Sequence, residues 1–302
     1  TEDKNSGVTF SVDYDGAVIE DNTATDNGGG VYITMQTSRY NSELNLVSGT
    51  IAKNKARNGG GVYVENTNIN IGASATTTDN AIKIEGNQAS ENGGGIYLKQ
   101  ETAYVSSVQI NVSNGFVTGN TATKNGGGIY QTGTIGNCLV TGEGEISNNT
   151  AANGGGIYIA GGSKLSVTGG IIINNRAVGS SNAATAKEAT CGVGGGIYVH
   201  TGEFSMSGDH VGLHSNDASV AANDAYATGG TATILTLPDV ENMDLAGWTG
   251  TGKPEGWFAD YKAGDTDYPS EVIKVDDKAT TNPGRYNYYD EDKVEVDYTN
   301  VL

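Results

Sequence analysis

The stretch Asn153-Gly154-Gly155-Gly156-Ile157-Tyr158-Ile159 decides the fold, because close copies of it recur along about two thirds of the chain. Six copies keep three glycines followed by an aliphatic residue and a tyrosine. Their triplets begin at Gly28, Gly59, Gly93, Gly126, Gly154 and Gly194. A degenerate seventh copy is Asn223-Asp224-Ala225-Tyr226. The steps between triplets are 31, 34, 33, 28 and 40 residues, which is typical of a repeated supersecondary unit.

A second motif accompanies each copy: an aliphatic residue, two variable residues, an asparagine, one more residue and an alanine. Its asparagines are Asn22, Asn54, Asn87, Asn120, Asn149, Asn175 and Asn216. Spacing is constant inside the motif and varies between motifs, as it does in stacked coils joined by loops of different length. We expect these asparagines to form an internal ladder, each amide bonding to its equivalents in the coils above and below.

The residue pattern excludes helical repeats and indicates strands. Glycine makes up 46 of 302 residues, whereas helical repeats need apolar side chains three and four apart with few glycines. Apolar residues alternate with polar ones instead, as in Leu165-Ser166-Val167. The sequence therefore predicts an all-β fold, a right-handed parallel β-helix (solenoid) of about seven coils with two or three short strands in each.

Composition divides the chain into two parts. We expect the β-helix to span residues 1–237, with 1–18 as an N-terminal cap or first partial coil. Residues 238–302 hold all four prolines and both tryptophans and contain no triple glycine. This predicts a C-terminal non-helical cap that covers the open end of the helix. Loops are predicted at 66–79, 101–107 and 179–191.

The triple glycine predicts a corner that only glycine can form, because each glycine in a strand costs about 0.5–1 kcal/mol relative to alanine. The tyrosine after it lies between two aliphatic residues that face the core, so its ring is predicted to point outward. One outward ring per coil gives an external stripe. Its members are Tyr32, Tyr63, Tyr97, Tyr130, Tyr158, Tyr198 and Tyr226.

Two roles are open for this stripe. The rings can stack on each other and cover the glycine corners, stabilising the coil by roughly 0.5–1.5 kcal/mol per aromatic pair. Alternatively, part of the stripe is a platform for sugar rings or for the apolar edge of a partner. In that second role the candidate ligand-binding residues are Tyr97, Tyr130, Tyr158 and Tyr198.

The charge balance limits the partners. There are 17 basic and 35 acidic residues, a formal net charge of −18. Nucleic acid and anionic membranes are poor partners for such a surface. No apolar run approaches a membrane span, so we expect no membrane insertion in this fragment. The first residues lack the features of a signal peptide, and we expect any signal or anchor to lie outside the fragment.

Residues able to carry chemistry are few. Cys138 aligns with an inward-facing leucine of the next unit, Cys191 lies in a long loop, and a disulfide between them is left open. His200, His210 and His214 are interpreted as solvated surface histidines. No metal site is predicted from them. The acidic clusters of the tail are interpreted as a solvated surface, with structural calcium as the alternative; these clusters are Asp265-Thr266-Asp267, Asp276-Asp277 and Asp290-Glu291-Asp292.

Catalysis is the main alternative function, since polysaccharide lyases and glycoside hydrolases also use parallel β-helices. Lyases need a base and cations gathered in a groove. The sequence does not place its arginines together in one groove, because Arg57 lies in the second repeat and Arg176 in the sixth. A carboxylate pair hidden among the 35 acidic residues stays open. We predict no catalytic residues and no cofactor.

The repeated Gly-Gly-Gly-aliphatic and aliphatic-x-x-Asn motifs over residues 17 to 260 resemble the β-helical passenger repeats of bacterial surface adhesins, including the polymorphic outer-membrane proteins of chlamydiae. They are also similar to β-helix regions of wall-anchored proteins from Gram-positive gut bacteria, where a segment such as Gly256-Trp257-Phe258 follows the last coil. Glycine in place of alanine in the triplet makes the Gram-positive likeness nearer. The resemblance is specific for fold and weak for function.

The resemblance implies an extracellular module of the bacterial cell surface. The leading interpretation is an adhesin, a monomer that binds a host glycan or extracellular protein and displays it on a rigid β-helix. A carbohydrate-active enzyme is the second interpretation, and an inert stalk or spacer is the third. A convergent acid–base or cationic cluster beside the long loops would favour the enzyme, and a uniformly polar surface would favour the stalk.

Overall fold

The computed structural model describes residues 8–35, 42–72, 80–101, 108–179, 192–208, 211–219, 222–227, 232–237, 243–246, 254–259, 273–274 and 285–290. Within these ranges the regular structure is all strand. The strands, numbered along the chain, are β1 (Thr9–Glu20), β2 (Val31–Thr34), β3 (Glu43–Ala52), β4 (Lys55–Asn58), β5 (Val62–Glu65), β6 (Asn68–Ile71), β7 (Lys83–Glu85), β8 (Gln88–Asn92), β9 (Ile96–Lys99), β10 (Gln109–Val112), β11 (Phe116–Thr118), β12 (Thr121–Ala122), β13 (Ile129–Thr132), β14 (Asn137–Val140), β15 (Glu145–Ser147), β16 (Thr150–Ala151), β17 (Ile157–Ala160), β18 (Ser163–Val167), β19 (Gly170–Ile173), β20 (Arg176–Ala177), β21 (Ile197–Val199), β22 (Gly202–Met206), β23 (Val211–His214), β24 (Asp217–Ala218), β25 (Ala225–Ala227), β26 (Ala232–Thr236), β27 (Pro254–Ala259), β28 (Ile273–Lys274) and β29 (Arg285–Asp290).

The strands stack into three long sheets, and those from β1 to β26 pair in parallel, which confirms the parallel β-helix. The first sheet has the order β23-β19-β15-β11-β7-β3-β6-β10-β14-β18-β22-β26, with β1 beside β3. The second has the order β24-β20-β16-β12-β8-β4. The third, which we call the tyrosine sheet, has the order β2-β5-β9-β13-β17-β21-β25-β29-β27-β28. Each repeat of the sequence is therefore one coil that visits all three sheets.

Most coils have four strands, rather than the two or three that were predicted. The extra strand arises because the first sheet bends in the middle of each later coil, at glycine-containing turns. At one of these bends a Cβ on Gly115 would lie 2.5 Å from the Cγ2 of Ile71 in the preceding coil. The second coil has no such turn, and β3 runs straight through the bend. This strand joins the two halves of the sheet.

The core is a continuous column of aliphatic side chains along the inside of the coils. Its members come from alternate positions of each strand, as expected for half-buried strands. In the tyrosine sheet, for example, Ile129 and Ile157 are both buried and are paired in register across neighbouring coils. Cys138 is also inside and aligns with Leu165, as the sequence indicated. Every coil therefore buries its apolar face against the next one.

Each glycine of the triplet is required for a different steric reason, as the third repeat shows. Gly93 has φ +66°, a left-handed conformation that side chains disfavour. A Cβ on Gly94 would lie 2.4 Å from the carbonyl oxygen of Gly127 in the next coil. A Cβ on Gly95 would lie 3.0 Å from the amide nitrogen of Asn120. The corner therefore brings two coils together more closely than any side chain allows.

The two ends of the tyrosine sheet differ. At the C-terminal end, β29 runs antiparallel to β25 and continues the sheet into the tail. At the N-terminal end β2 is the first strand, and β1 pairs in parallel with β3 of the first sheet. Parallel pairing also extends slightly beyond residue 237, where Val211 forms a bridge with Met243.

Candidate functional site

The seven predicted asparagines lie in one column inside the coils. Each of the first six donates from Nδ2 to the Oδ1 of the asparagine in the next coil, and the first of these bonds joins Asn22 to Asn54 at 3.0 Å. The same bond, at 2.9 to 3.0 Å, joins each later pair of neighbours in the column, whose further members are Asn87, Asn120, Asn149, Asn175 and Asn216. Because the five central members are fully buried, this column is part of the core rather than of the surface.

Every amide atom of a central asparagine has a partner. Asn87 donates from Nδ2 both to Asn120 Oδ1 and to the backbone oxygen of Ile51 in the preceding coil, at 3.0 and 2.9 Å. Its own Oδ1 accepts from the backbone N–H and from the Nδ2 of Asn54. At the C-terminal end, Asn216 donates to Oδ1 of the buried Asp224. An asparagine is needed because only a primary amide supplies two donors and two acceptors in this geometry.

A second asparagine ladder, which the sequence interpretation missed, runs along the corner before the triple glycines. Asn58 donates from Nδ2 to Asn27 Oδ1 at 3.1 Å, and Asn92, Asn125 and Asn153 each repeat this bond to the preceding coil. Its donors point to the preceding coil, whereas those between the core asparagines point to the next. The signal was present, since an asparagine precedes five of the six triplets.

The seven tyrosines also form one column. From Tyr32 through Tyr63, Tyr97 and Tyr130 to Tyr158 the rings stack with centroids 4.8 to 5.4 Å apart and interplanar angles of 14 to 24°. Tyr198 then meets Tyr158 edge to face, with Tyr226 tilted against it. In the six coils with a triple glycine, a Cβ added to the first glycine would lie 2.8 to 3.1 Å from the Cβ of that coil's tyrosine.

The tyrosine rings are less exposed to solvent than the alternation of inward and outward positions along a strand predicted. The rings do lie outside the aliphatic core, but the exposed fraction is only 5% for Tyr63, 8% for Tyr158 and 2% for Tyr198. Tyr32, at the open end, is 51% exposed. The cause is the stacking itself, because each ring covers the faces of its neighbours. Of the proposed ligand residues, Tyr97 and Tyr130 keep partly exposed edges.

Burial also changes the acidity of the column. Removal from water raises the pKa of Tyr63, Tyr97, Tyr130 and Tyr158 above the ordinary value of a phenol. At Tyr63 the carboxylate of Glu65 raises the pKa further. The hydroxyls therefore remain protonated at neutral pH and can act as hydrogen-bond donors.

A small cluster of charges lies beside the tyrosine column. Lys99, at the end of β9, forms ion pairs with Glu65 at 3.1 Å and with Glu101. Hydrogen bonding to Glu101 raises the pKa of Lys99, and hydrogen bonding to Lys99 lowers the pKa of Glu101. Both pKa values therefore move further from neutral pH, whereas a general acid or base needs a pKa close to it. Lys99 and Glu101 are therefore held in their charged forms.

Three segments close to the tyrosine sheet in sequence lie outside the described residues. Residues 36–41 come after β2 in the sequence, residues 102–107 come after β9, and residues 180–191 come before the last triple glycine. The predicted loops at 101–107 and 179–191 lie outside the described residues except for Glu101 and Gly179. The predicted loop at 66–79 was wrong in its first half, because Asn68–Ile71 form strand β6 of the first sheet, and residues 73–79 lie outside the described residues.

The histidine prediction was wrong for His214, which is fully buried at the end of β23. Its Nε2 lies 3.1 Å from the backbone oxygen of Asp244 and its Nδ1 lies 3.0 Å from the hydroxyl of Ser215. The prediction failed because residues 243–246, which carry no repeat motif, cover this strand. His200 is exposed, and His210 lies outside the described residues.

The remaining candidates do not converge. Burial raises the pKa of the Cys138 thiol to about 12, and Cys191 lies outside the described residues. Arg57 and Arg176 each pair with an aspartate of an adjacent coil, at 2.8 Å. In the described part of the chain, no three His, Cys, Asp or Glu side chains are arranged to hold a metal ion. A search of the same residues finds no helix of the length and apolarity that crossing a membrane requires.

Comparison with known proteins adds one finding. The sequence model of the Chlamydia polymorphic membrane protein repeat matches residues 81–99 and 114–132. Each segment holds one ladder asparagine, one triple glycine and one column tyrosine, so the matched units are similar to that repeat in both motifs and their order. Neither the curated proteins nor the solved structures contain a significant match.

Proposed function

We propose that this chain is an extracellular module of the bacterial surface, an adhesin that holds a host or glycan ligand on a rigid β-helix. The surface location is supported by the similarity of two coils to a repeat of chlamydial membrane proteins. A finer assignment, to wall-anchored proteins of Gram-positive bacteria, rests on the all-glycine triplets and on Gly256-Trp257-Phe258 after the last coil. The proposal needs no cofactor.

The observation that carries ligand binding is the group of polar and aromatic side chains on the outer face of the tyrosine sheet at β9. Tyr97 and Lys99 lie two residues apart on the same face of this strand, and Lys99 is paired with Glu65 and Glu101. On that face lie the partly exposed edges of Tyr97 and Tyr130 and the charged cluster around Lys99.

The rings contribute through their edges and hydroxyls in this proposal. A sugar that stacks on an aromatic residue needs a free ring face, and within the column both faces are occupied by neighbouring tyrosines. A hydroxyl with a raised pKa and an ammonium held between two carboxylates can instead form hydrogen bonds to sugar hydroxyls. We therefore place the ligand beside Tyr97, Tyr130, Lys99 and Glu101.

The experiment is a screen of the whole fragment on glycan and extracellular-matrix arrays, with turnover of the same glycans assayed in parallel. Each hit is then measured with Lys99→Ala. Lys164→Ala is the matched control, because Lys164 also makes one exposed inter-coil ion pair but lies on the first sheet. We expect about tenfold weaker binding for the first variant and no change for the second.

Three results would contradict the proposal. Absence of specific binding on both arrays would favour the inert stalk. Hydrolysis or elimination products from any array glycan would favour the enzyme. Equal loss of binding in both variants would place the ligand elsewhere on the molecule.

A further inference from the structure

The sequence contains six Asn-Gly dipeptides, and the fold treats one of them differently from the others. Asparagine is a thermolabile residue, and a glycine after it leaves the main-chain nitrogen unhindered because glycine has no side chain. Five of the dipeptides belong to the second asparagine ladder and begin at Asn27, Asn58, Asn92, Asn125 and Asn153. The sixth is Asn114-Gly115, in the bend of the first sheet between β10 and β11.

In the second ladder the glycine N–H of every Asn-Gly dipeptide already has a partner. Each of these five glycines donates its N–H to a main-chain oxygen of the next coil, at 3.0 to 3.1 Å. The asparagine side chains are held as well, by the bonds that join them from coil to coil. A main-chain N–H that is bonded in this way reacts only when the structure opens locally.

The dipeptide Asn114-Gly115 lacks this protection. Among the described residues none accepts a hydrogen bond from the N–H of Gly115, although its carbonyl oxygen accepts from the N–H of Glu145. The side chain of Asn114 is held only loosely, since its Nδ2 lies 3.5 Å from the carbonyl oxygen of Gly72. Asn114 is half-buried, so water reaches this side chain.

The other contact of the Asn114 side chain favours attack on its amide carbon. Its Oδ1 accepts a hydrogen bond from the main-chain N–H of Glu143, at 3.3 Å. When a nucleophile adds to Cγ, negative charge develops on Oδ1, and a donor already fixed beside this atom stabilises that charge. The nucleophile is the nitrogen of Gly115, which the sequence places next to the amide.

We propose that Asn114 is a site of spontaneous deamidation through a cyclic imide formed with Gly115. The nitrogen of Gly115 bonds to Cγ of Asn114, the Cγ–Nδ2 bond breaks, and Nδ2 leaves as ammonia with the proton that the glycine nitrogen loses. Water then adds to one of the two carbonyl carbons of the ring and opens it. Addition at Cγ gives aspartate, whereas addition at the main-chain carbon gives isoaspartate.

The isoaspartate product does not fit the bend. It routes the main chain through the former side chain and so inserts one more carbon atom before Gly115. A Cβ on Gly115 would already lie 2.5 Å from the Cγ2 of Ile71 and 2.9 Å from that of Ile82. The modification therefore weakens the packing of this coil against the preceding one as the protein ages, and it does so independently of any ligand.

The experiment ages the whole fragment in mildly alkaline buffer made with heavy-oxygen water. Peptide mapping by mass spectrometry then follows all six Asn-Gly dipeptides in the same digest, so the five ladder dipeptides are internal controls. We expect Asn114 to react about tenfold faster than any ladder asparagine, with uptake of heavy oxygen and formation of isoaspartate. In denaturant the six dipeptides should react at similar rates.

Two variants connect the modification to stability. Asn114→Gln lengthens the side chain and disfavours ring closure, so the aged variant should melt at the same temperature as the fresh one, while aged wild type melts lower. Asn111→Gln is the matched control, because Asn111 lies on the same coil but is followed by valine, and it should age like wild type.

Four results would overturn the proposal. The first is reaction of a ladder asparagine as fast as Asn114 in the folded protein. The second is an intact Asn114 after the denatured protein has reacted. The third is the same preference for Asn114 in denaturant, since the local sequence and not the fold would then select the site. The fourth is an unchanged melting temperature of the isoaspartyl protein, which would contradict the weakening.

Discussion

Asn120 donates both its side-chain Nδ2 and its backbone N–H to a single atom, the Oδ1 of Asn149, at 3.0 and 2.9 Å. Its Nδ2 also reaches the backbone oxygen of Ile84 in the preceding coil, at 2.9 Å. One side chain therefore connects three successive coils. Since the amide is completely buried, each of these bonds replaces a contact with water that the folded chain cannot make.

The first prediction follows from this bonding. Asn120→Ala leaves Ile84 O and Asn87 Nδ2 each short of a partner inside the core. We expect a loss of about 2–5 kcal/mol in the free energy of unfolding, from several buried groups at about 1–3 kcal/mol each. Denaturant titration measures it. The control is Asn111→Ala, in the same coil but on the outer face, for which we expect a change within about 0.5 kcal/mol. Equal effects of the two variants would mean that the ladder has no special role in stability.

The second prediction concerns Gln131, which is fully buried and whose amide atoms form no hydrogen bond with any described residue. It occupies the position of Leu98 and Ile159 in the neighbouring coils. Gln131→Leu should raise the free energy of unfolding by about 1–3 kcal/mol, because it removes the cost of an unsatisfied amide. Gln131→Ala is the comparison, since it removes the amide but leaves a void. If leucine instead destabilises the protein, the amide has a partner such as an ordered water.

The repeat motifs sufficed to predict the fold class and to align the coils. Seven aliphatic-x-x-Asn motifs, six of them accompanied by a triple glycine, are compatible with few architectures, and the alternation of side chains along a strand then places Ile157 inside and Tyr158 outside. The alternation along a strand predicts only on which face of the sheet a side chain lies, not how much of it is exposed. The burial of Tyr158 depends on the ring of Tyr130 above it and the edge of Tyr198 below, which are contacts between distant parts of the chain.

Other features had weaker signals or none. The turn before each ladder asparagine needs a left-handed residue, but the position is filled by Asp, Lys, Gly, Asn or Ser, so no single residue type marks it. The burial of His214 depends on Asp244, which lies in a segment without repeats. Such contacts follow from tertiary packing and cannot be predicted from a local pattern.

The third prediction uses this turn. Lys53 has φ +54°, whereas the equivalent residues Gly86 and Gly119 reach +63° and +64° without a side chain. The left-handed conformation costs a residue with a side chain about 1–2 kcal/mol. Lys53→Gly should therefore raise the free energy of unfolding by about 0.5–1 kcal/mol, after the entropic cost of glycine is subtracted. The loss of the exposed ion pair with Glu20 is worth little.

The control for this substitution is the same change at an ordinary strand position. Lys83 is exposed on β7, so Lys83→Gly should lower the free energy of unfolding by about 0.5–1 kcal/mol. Thermal melts of both variants test the sign. Two changes in the same direction would mean that backbone strain at Lys53 is not the determining factor.

The fourth prediction is that the tyrosine column makes the protein sensitive to alkali. Burial raises the pKa of Tyr97 and Tyr158 above the unfolded value of about 10. Above that pH the unfolded chain has released phenolic protons that the folded chain retains, so stability falls as pH rises. The phenolate absorbance of the buried rings should appear together with the loss of circular dichroism. Gradual ionisation near pH 10 without unfolding would show that the rings are accessible to solvent.

The last prediction concerns acid and His214. Burial lowers the pKa of this imidazole below its ordinary value, and the hydrogen bond to the Asp244 carbonyl opposes the shift only in part. The folded state therefore binds a proton less readily than the unfolded state. Its contribution to stability is present above the unfolded pKa of about 6.5 and declines as pH falls through that value. The melting temperature should drop between neutral and mildly acidic pH, and His214→Asn should weaken this dependence. His200→Asn is the matched control, because His200 is exposed, and it should leave the dependence unchanged. An identical pH profile for wild type and His214→Asn would assign the acid sensitivity to other groups.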